Sequence, residues 1–299
     1  MRVQSRPRRP ETISEVEPVA TIEVRLGPGS DQQRTKRRFW GTRRAEILLA
    51  WATPAVLILL WQLAAAAGWI DTRFFPEPAA IASEAKSLIG DSSFRSDIWI
   101  STTRVVIGFG LGAVAGLAIG FITGMSRLGR SALEPLLSAL YTVPKLALFP
   151  LLLLIFGIGE TPKIMLIAIT VFFFVWISTM EAVISIDPAL QDAARAFRCS
   201  RWQTFRHVIF PGSLPDVLVG MRISTGVAVL MMVGAEFVQG SNGIGYFIWN
   251  SWSLFIATRM YVGMVAVALM GLLFAMIIRA AGRVLAPWAP RSARVRGRF

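Results

Sequence analysis

The chain has almost none of the side chains on which most catalytic and metal sites depend. Only one cysteine and one histidine occur in 299 residues, as Cys199 and His207. A single cysteine excludes an internal disulfide framework and a thiolate metal cluster. A single histidine cannot supply a set of imidazole ligands, and no cluster of carboxylates takes its place. We therefore expect no catalytic residue and no bound metal.

Nucleotide-binding motifs are also missing. No GxxxxGK[ST] sequence occurs, so we expect no cofactor on this chain and no ATP site of its own. The glycine-rich stretch 239–246 has no phosphate-binding spacing and is predicted to form a gate or a re-entrant turn. His207 lies in a charged loop between apolar segments, which argues against a serine protease site inside a membrane.

Long apolar runs dominate the sequence instead. Hydrophobic residues make up 54% of the chain and charged residues only 16%, which is too apolar for an ordinary soluble domain. About 20 apolar residues cross a bilayer as a helix. We predict an all-α, multi-pass membrane protein with about six transmembrane helices, at 45–68, 101–125, 132–156, 163–184, 216–239 and 260–282.

The positive charges lie beside these spans. Of 31 Lys and Arg residues, eleven lie in 1–44, four in 185–211 and six in 279–299, whereas 157–162 and 240–258 have none. The positive-inside rule therefore predicts that both termini and the 185–211 loop are cytoplasmic. Because the charge accompanies membrane spans, we expect the lipid bilayer, and no nucleic acid, as its partner.

Three regions follow from this pattern. Residues 1–44 are polar and Arg-rich without apolar periodicity, which predicts a disordered basic cytoplasmic tail. Residues 45–285 form the predicted transmembrane domain, and 286–299 form a basic cytoplasmic C-terminal tail. The same basic residues at the N-terminus would also suit binding to anionic lipid or to a partner protein.

The second span carries a glycine at every fourth position. This spacing places the glycines on nearly one helix face and lets another backbone approach closely, because a glycine has no side chain. The face is predicted to pack within one subunit, or alternatively to form a sliding or dimer surface. Its members are Gly108, Gly112, Gly116, Gly120 and Gly124.

The third span is interrupted. Pro144 and Pro150 free backbone carbonyl groups, and Lys145 lies between them at about mid-depth. An intramembrane lysine points to a pathway or to a partner charge. Lys145 is thus a candidate to attract an anionic solute, and it would equally suit pairing with a carbonyl group. Glu236 joins these three residues as a pathway candidate, although snorkelling to the interface also explains it.

The cationic segment 187–211 is predicted to form two short helices. Asp187 can cap the first helix, with Pro188 at its opening position. Ser200 and Gln203 have capping-box spacing, so a second helix can start there, and we expect it to stop at Pro211. Such an element between membrane spans is suited to dock onto another protein.

The same segment resembles the EAA signature of binding-protein-dependent ABC transporter permeases. Asp192-Ala193-Ala194 corresponds to E-A-A, and Val208-Ile209-Phe210-Pro211 corresponds to the apolar-proline end. The sequences at 140–150, 156–160, 220–223 and 243–246 are similar to the nitrate/sulfonate/taurine/bicarbonate subgroup. The resemblance covers about residues 45–285.

The resemblance implies an ABC importer permease in a bacterial plasma (inner) membrane. Two copies, as a homodimer, would form the pathway for a small anionic solute such as a sulfonate, taurine or nitrate. An external solute-binding protein would deliver the solute, and cytoplasmic ATPase subunits, carrying ATP and Mg, would drive transport. The implied coupling residues are Asp192, Ala193, Ala194, Arg195, Arg198, Ser200, Trp202 and Phe205.

Two residues depart from the family signature. Asp192 replaces glutamate and keeps a shorter carboxylate, and Arg198 stands where the family has glycine. If that position has a positive φ, an arginine there is strained by roughly 1 kcal/mol or more. The competing reading is a secondary transporter or channel that works without ATP. Such proteins show paired repeats with matching broken helices, and only one interrupted span is present here.

Overall fold

The computed structural model describes residues 43–288, and this part of the chain is helical throughout, without a strand. The predicted tails, 1–44 and 286–299, lie almost entirely outside the described residues. Eleven α-helices follow one another: α1 Arg43–Ala66, α2 Pro78–Gly90, α3 Ser92–Met125, α4 Arg127–Thr142, α5 Phe149–Phe156, α6 Glu160–Ile184, α7 Pro188–Ala196, α8 Arg201–Thr204, α9 Phe210–Val238, α10 Ile244–Ser253 and α11 Ala257–Leu285.

The chain divides into two compact units at a boundary inside α1, between Val56 and Leu57. In the first unit, the side chains of α1 from Leu48 onward are exposed and mostly apolar. The second unit contains the other ten helices and every hydrophobic core cluster of the described residues.

The number and type of the predicted spans are confirmed. Five helical segments are long and apolar enough to cross a membrane, and a sixth span results if α4 and the following helical segment are counted together. These two segments, 127–142 and 145–156, meet at a bend of 91°. The predicted interruption at Pro144 is therefore present. Pro150 does not interrupt a helix. It lies in the first turn of α5, where a backbone N–H would have no intrahelical partner.

Two predicted boundaries were wrong. α3 begins at Ser92 rather than near residue 101. Asp91 caps its first turn by accepting a hydrogen bond from the Ser93 amide. The first residues of this helix are polar, so the hydropathy of the sequence did not indicate its start. The helix that opens at Arg201 does not stop at Pro211. It continues to Val238 as one span of 38 residues.

A π-helical turn explains how this helix passes the proline. Residues Phe205–Ile209 form the turn, in which the Phe210 amide donates to the carbonyl of Phe205. A proline ring normally clashes with the carbonyl four residues earlier. The wider π turn displaces that carbonyl, and Pro211 then occupies the first turn of α9.

The five-glycine face of α3 lies against α6. A Cβ atom added at Gly116 would be 2.8 Å from the Phe172 carbonyl oxygen, and one added at Gly124 would be 2.7 Å from the Cβ of Val183. The contacts advance along both helices together, so α3 and α6 are parallel. Because lipid tails are as apolar as leucine, helices in a membrane associate through such close packing.

α9 packs against the same pair in the opposite direction. Gly220 lies against Ser178 of α6, whereas Glu236 reaches the start of α6. Buried residues of the three helices, including Val105, Val175 and Met232, form the largest core cluster. The bundle therefore has one end at the 187–211 loop and an opposite end at the start of α6. The 25 residues of α6 separate these ends by about 37 Å.

Replacing Gly112 by alanine tests the seam between α3 and α6. The added methyl group would overlap the Ala168 carbonyl oxygen, so we expect a loss of about 1–3 kcal/mol in the free energy of unfolding, measured in detergent or bicelles. Gly110→Ala is the matched control, since a Cβ atom there meets no atom within 4 Å. Equal stability of the two variants would contradict the described packing.

Candidate functional site

The 187–211 loop is built from local capping interactions. Asp187 accepts a hydrogen bond from the Ala189 amide at 2.9 Å and caps α7. Ser200 and Gln203 form a complete capping box at the start of α8, with distances of 2.8 and 3.2 Å. The two predicted helices and both predicted N-caps are therefore present.

The turn between these helices is a Schellman motif. The Cys199 amide donates to the Ala194 carbonyl at 3.0 Å, and the Arg198 amide donates to the Arg195 carbonyl at 2.9 Å. This motif places its central residue in the left-handed region, usually as glycine. Here the position is Arg198, with a φ of +52°. Arg198 therefore has the positive φ that is expected to strain an arginine at this position.

Most of the predicted coupling residues share one exposed surface. Asp192 and Arg195 form an exposed ion pair at 3.2 Å, and Trp202 is 65% exposed. The structure also exposes Phe197 to 83%, a residue that the sequence analysis did not select. The sequence gives no reason to select Phe197. Only the positive φ of its neighbour Arg198, which the structure shows, draws attention to this turn. The remaining exposed members are Ala193, Arg198 and Ser200.

Two predicted coupling residues face inward instead. Ala194 is buried, and Phe205 is half-buried. The Phe205 ring packs edge-on against Phe121 of α3 with a centroid distance of 5.4 Å, and the Trp202 ring lies 5.5 Å away on its other side. Phe205 therefore anchors the loop to the bundle and supports Trp202.

The broken span holds Lys145 at its bend. The Lys145 ammonium group donates to three carbonyls at the end of α4, those of Leu140, Tyr141 and Val143, at 2.7 to 3.0 Å. It also lies 4.6 Å from the ring centroid of Phe173. Pro144 and Pro150 are exposed, and Lys145 is half-buried. The carbonyl groups freed by the bend are thus satisfied by a lysine of the same segment.

A buried charge network occupies the opposite end of the bundle. Arg104 of α3 is 1% exposed, and its guanidinium group donates all five of its N–H bonds. Two bonds go to the Glu160 carboxylate at 2.5 and 2.6 Å, and one goes to Glu236 at 2.5 Å. The last two go to the carbonyl and side-chain oxygens of Asn242. One side chain therefore connects α3, α6, α9 and the loop before α10.

Glu236, the fourth pathway candidate, has no exposed surface and does not snorkel. Its carboxylate also accepts bonds from the Ser101 hydroxyl at 2.7 Å and from the Gly245 amide at 2.7 Å. Gly243 has a φ of +103°, and a Cβ atom there would overlap the Glu236 carboxylate. The glycine-rich stretch thus wraps a buried carboxylate, and α10 begins within it, directly after Gly243.

Sequence reasoning missed most of this network. Ser101, Arg104, Lys163 and Asn242 were not selected, and Glu160 was assigned only to a turn. A buried Arg in an otherwise apolar span was the available signal, because charged residues inside spans are costly and functional. Among residues 43–288, no group of three or more His, Cys, Asp or Glu residues is arranged to hold a metal ion.

The sequence matches the family described as binding-protein-dependent transport system inner membrane component over residues 108–289. The chain belongs to this family. A protein named as an aliphatic sulfonates transport permease, SsuC of Bacillus subtilis, is 36% identical over 235 residues, which cover 79% of this chain and 85% of the relative. The taurine transport system permease protein TauC of Escherichia coli is 31% identical over 272 residues, or 89% and 98% of the two chains.

A nitrate import permease protein, NrtB of Synechocystis, is 29% identical over 73% of this chain and 82% of its own. The resemblance to the nitrate/sulfonate/taurine subgroup of ABC permeases is thereby confirmed, and the chain is a multi-pass inner membrane protein. Solved structures share its fold: the MetNI methionine ABC transporter matches with a TM-score of 0.58 at 19% identity, over 64% of this chain and 94% of its own.

Replacing Arg198 by glycine tests the strain in the Schellman turn. Glycine adopts positive φ freely, so we expect the turn to become more stable by about 1 kcal/mol, or roughly fivefold slower exchange of the Cys199 amide hydrogen. Arg198→Ala is the control, because it removes the same charge and keeps the Cβ atom. If alanine slows exchange as much as glycine, charge rather than backbone strain governs this turn.

Proposed function

We propose that the chain is the permease subunit of an ABC importer for a small anionic solute of the sulfonate, taurine or nitrate type. The observation that carries the proposal is the 187–211 loop, a capped two-helix element that exposes aromatic and cationic side chains and resembles the family's EAA signature. The similarity to permeases named for sulfonate, taurine and nitrate transport supports the solute class.

The loop is proposed to dock into cytoplasmic ATPase subunits that bind ATP and Mg. Phe197 and Trp202 are exposed aromatic anchors of the kind that dominate binding energy at interfaces. Asp192, Arg195 and Arg198 add charged contacts around them. Because Phe205 packs on Phe121, a displacement of the loop would be passed to α3. Transport is thus driven by a separate ATPase, and this chain has no catalytic role.

A second copy of the chain is proposed to complete the pathway, as a homodimer. An external solute-binding protein would contact the opposite end of the bundle, including residues 240–250. The bent third span is proposed to line the pathway through Pro144, Lys145 and Pro150, which are exposed or half-buried. Glu236 is not part of this proposed lining, because its side chain is fully buried.

Charge reversal in the loop tests the coupling. Asp192→Lys replaces the anion of an exposed ion pair, so the protein should still insert while ATP-driven uptake falls about tenfold or more. Uptake is measured in vesicles containing the permease, the ATPase and the binding protein, with ATP hydrolysis recorded in parallel.

Asp71→Lys is the matched control. Hydrogen bonds from Arg73 hold the pKa of Asp71 below its ordinary value, and Asp71, like Asp192, forms an exposed ion pair with an arginine. Asp71 lies between α1 and α2, outside the proposed coupling surface. Unimpaired uptake by the Asp192 variant would contradict the coupling role.

Cys199 provides a test of orientation. It is exposed in the Schellman turn and is the chain's only cysteine, so no engineered residue is needed. A membrane-impermeant maleimide should label it in inside-out vesicles and leave it unlabelled in intact spheroplasts, because the loop is proposed to be cytoplasmic. Labelling of spheroplasts would reverse the proposed topology and remove the ATPase from the loop.

A further inference from the structure

Among the charged side chains of the buried network, which are Arg104, Glu160, Lys163 and Glu236, Glu160 is the one that is exposed to solvent. Its side chain is 52% exposed, whereas the side chains of its two cationic neighbours, Arg104 and Lys163, are 2% and 3% exposed. Both cations therefore lie on the buried side of a single carboxylate. Removing this carboxylate from its position would leave Lys163 without a carboxylate within 4.0 Å and Arg104 paired with Glu236 alone.

Lys163 has unused hydrogen-bonding capacity. Its ion pair with Glu160 spans 3.6 Å between the Lys163 ammonium nitrogen and the carboxylate oxygen, which is longer than an ordinary hydrogen bond. An ammonium group carries three donors, and a buried charge without partners is costly. Glu160 thus compensates Lys163 mainly through its charge, and an oxyanion placed closer to the ammonium group would add hydrogen bonds.

The other carboxylates of this region are already committed. Glu236 is held by Arg104, Ser101 and the Gly245 amide and is fully buried. Asp97 accepts a bond from the Gly243 amide at 2.6 Å and forms no ion pair with Arg104 or Lys163 within 4.0 Å. Neither can replace Glu160 without breaking its own bonds.

Glu160 is also placed where it can move. It begins α6 directly after Gly157-Ile158-Gly159, and Gly157 has a φ of +76°. A Cβ atom added at Gly157 or Gly159 would meet no atom within 4 Å, so space surrounds this turn. Rotation about the side-chain bonds of Glu160 would withdraw the carboxylate while α6, including Lys163, stays packed on α3.

We infer that Arg104 and Lys163 form an anion site whose resting occupant is Glu160, and that an oxyanion of the solute replaces the Glu160 carboxylate during transport. The guanidinium edge that Glu160 occupies donates two parallel bonds, which match two oxygens of a sulfonate, carboxylate or nitrate group. Naming the solute as the arriving anion rests on the proposed function; the anion site itself does not.

Displacement is physically reasonable because it exchanges one anion for another. The two cations stay compensated throughout, so the cost of exposing an unpaired buried charge is avoided. The Glu160 carboxylate, which is tethered to the chain, competes with a free anion at an effective concentration in the millimolar range. A solute released beside the site by a binding protein would reach a comparable local concentration.

Removal of Glu160 followed by rescue with an added anion tests this inference on the purified chain. Thermal unfolding of Glu160→Ala is measured with rising methanesulfonate at constant ionic strength, with chloride as the balancing anion. We expect a saturable increase in Tm of about 3–6 °C with half-saturation near 1 mM. Wild-type protein should respond by less than a third of this, because Glu160 occupies the site.

Two further variants separate the site from general effects. Glu84→Ala is the matched control, since it frees Arg259, a cation that is 47% exposed. Adding Lys163→Gln to Glu160→Ala should at least halve the methanesulfonate response. If the response of Glu160→Ala does not exceed that of Glu84→Ala, or persists undiminished without Lys163, the inference is wrong and Glu160 only ties α6 to α3.

Two safeguards keep the outcome unambiguous. If Glu160→Ala fails to fold, Glu160→Gln takes its place. Glutamine preserves the side-chain volume but has no negative charge, so it occupies the site more weakly, and the same saturable response is expected. Dimethyl sulfone, which is neutral, should have no effect on any variant. The readout involves neither ATPase nor uptake. Loss of the anion response would therefore contradict the inference, whereas loss of ATP-driven transport would contradict the proposed function.

Discussion

Close contact between α3 and α6 is the constraint on which the rest of the molecule depends. In lipid, burying apolar side chains gains little, so helices must gain contacts by approaching closely. Five glycines permit that approach along the C-terminal half of α3, from Ile167 to Val183 of α6. Once the two helices are fixed in register, Arg104 at one end meets Glu160, and Phe121 at the other end meets Phe205. Both candidate sites thus take their geometry from one seam, about 25 Å apart along α3.

The Arg104 network shows why a membrane protein retains an expensive charge. The free-energy cost of burying an arginine is offset only when its hydrogen bonds are satisfied. Arg104 uses all five of its donors. Four chain segments must be in place before the last donor is satisfied. The network consequently specifies one arrangement of α3, α6, α9 and the glycine-rich stretch, which apolar packing alone would leave less defined. Glu236, buried at its centre, holds the Arg104 guanidinium, the Ser101 hydroxyl and the Gly245 amide in this arrangement.

Local signals were readable from the sequence, and long-range ones were not. The caps at Asp187 and Ser200, the glycine period of α3 and the break at Pro144 depend on residues within a few positions of one another, so spacing predicted them. Arg104 meets Glu236 across 132 positions of sequence, and no local pattern records that contact. The passage of the helix through Pro211 was missed for a related reason, because a π turn is not encoded by any residue type. The burial of Phe205 depended on the position of Phe121 in another helix.

The Schellman turn of the loop combines a strained backbone with an exposed apolar surface. A second turn of the same kind ends α10, where Phe255 has a φ of +57° and is 87% exposed. By contrast, the same motif after α1 uses glycine, at Gly68. A side chain in the left-handed region costs roughly 1 kcal/mol and gains nothing from the folded monomer when it faces solvent. We propose that a contact outside this chain accounts for Arg198 beside exposed Phe197; the two strained turns lie at opposite ends of the bundle, where an ATPase and a binding protein are proposed to dock.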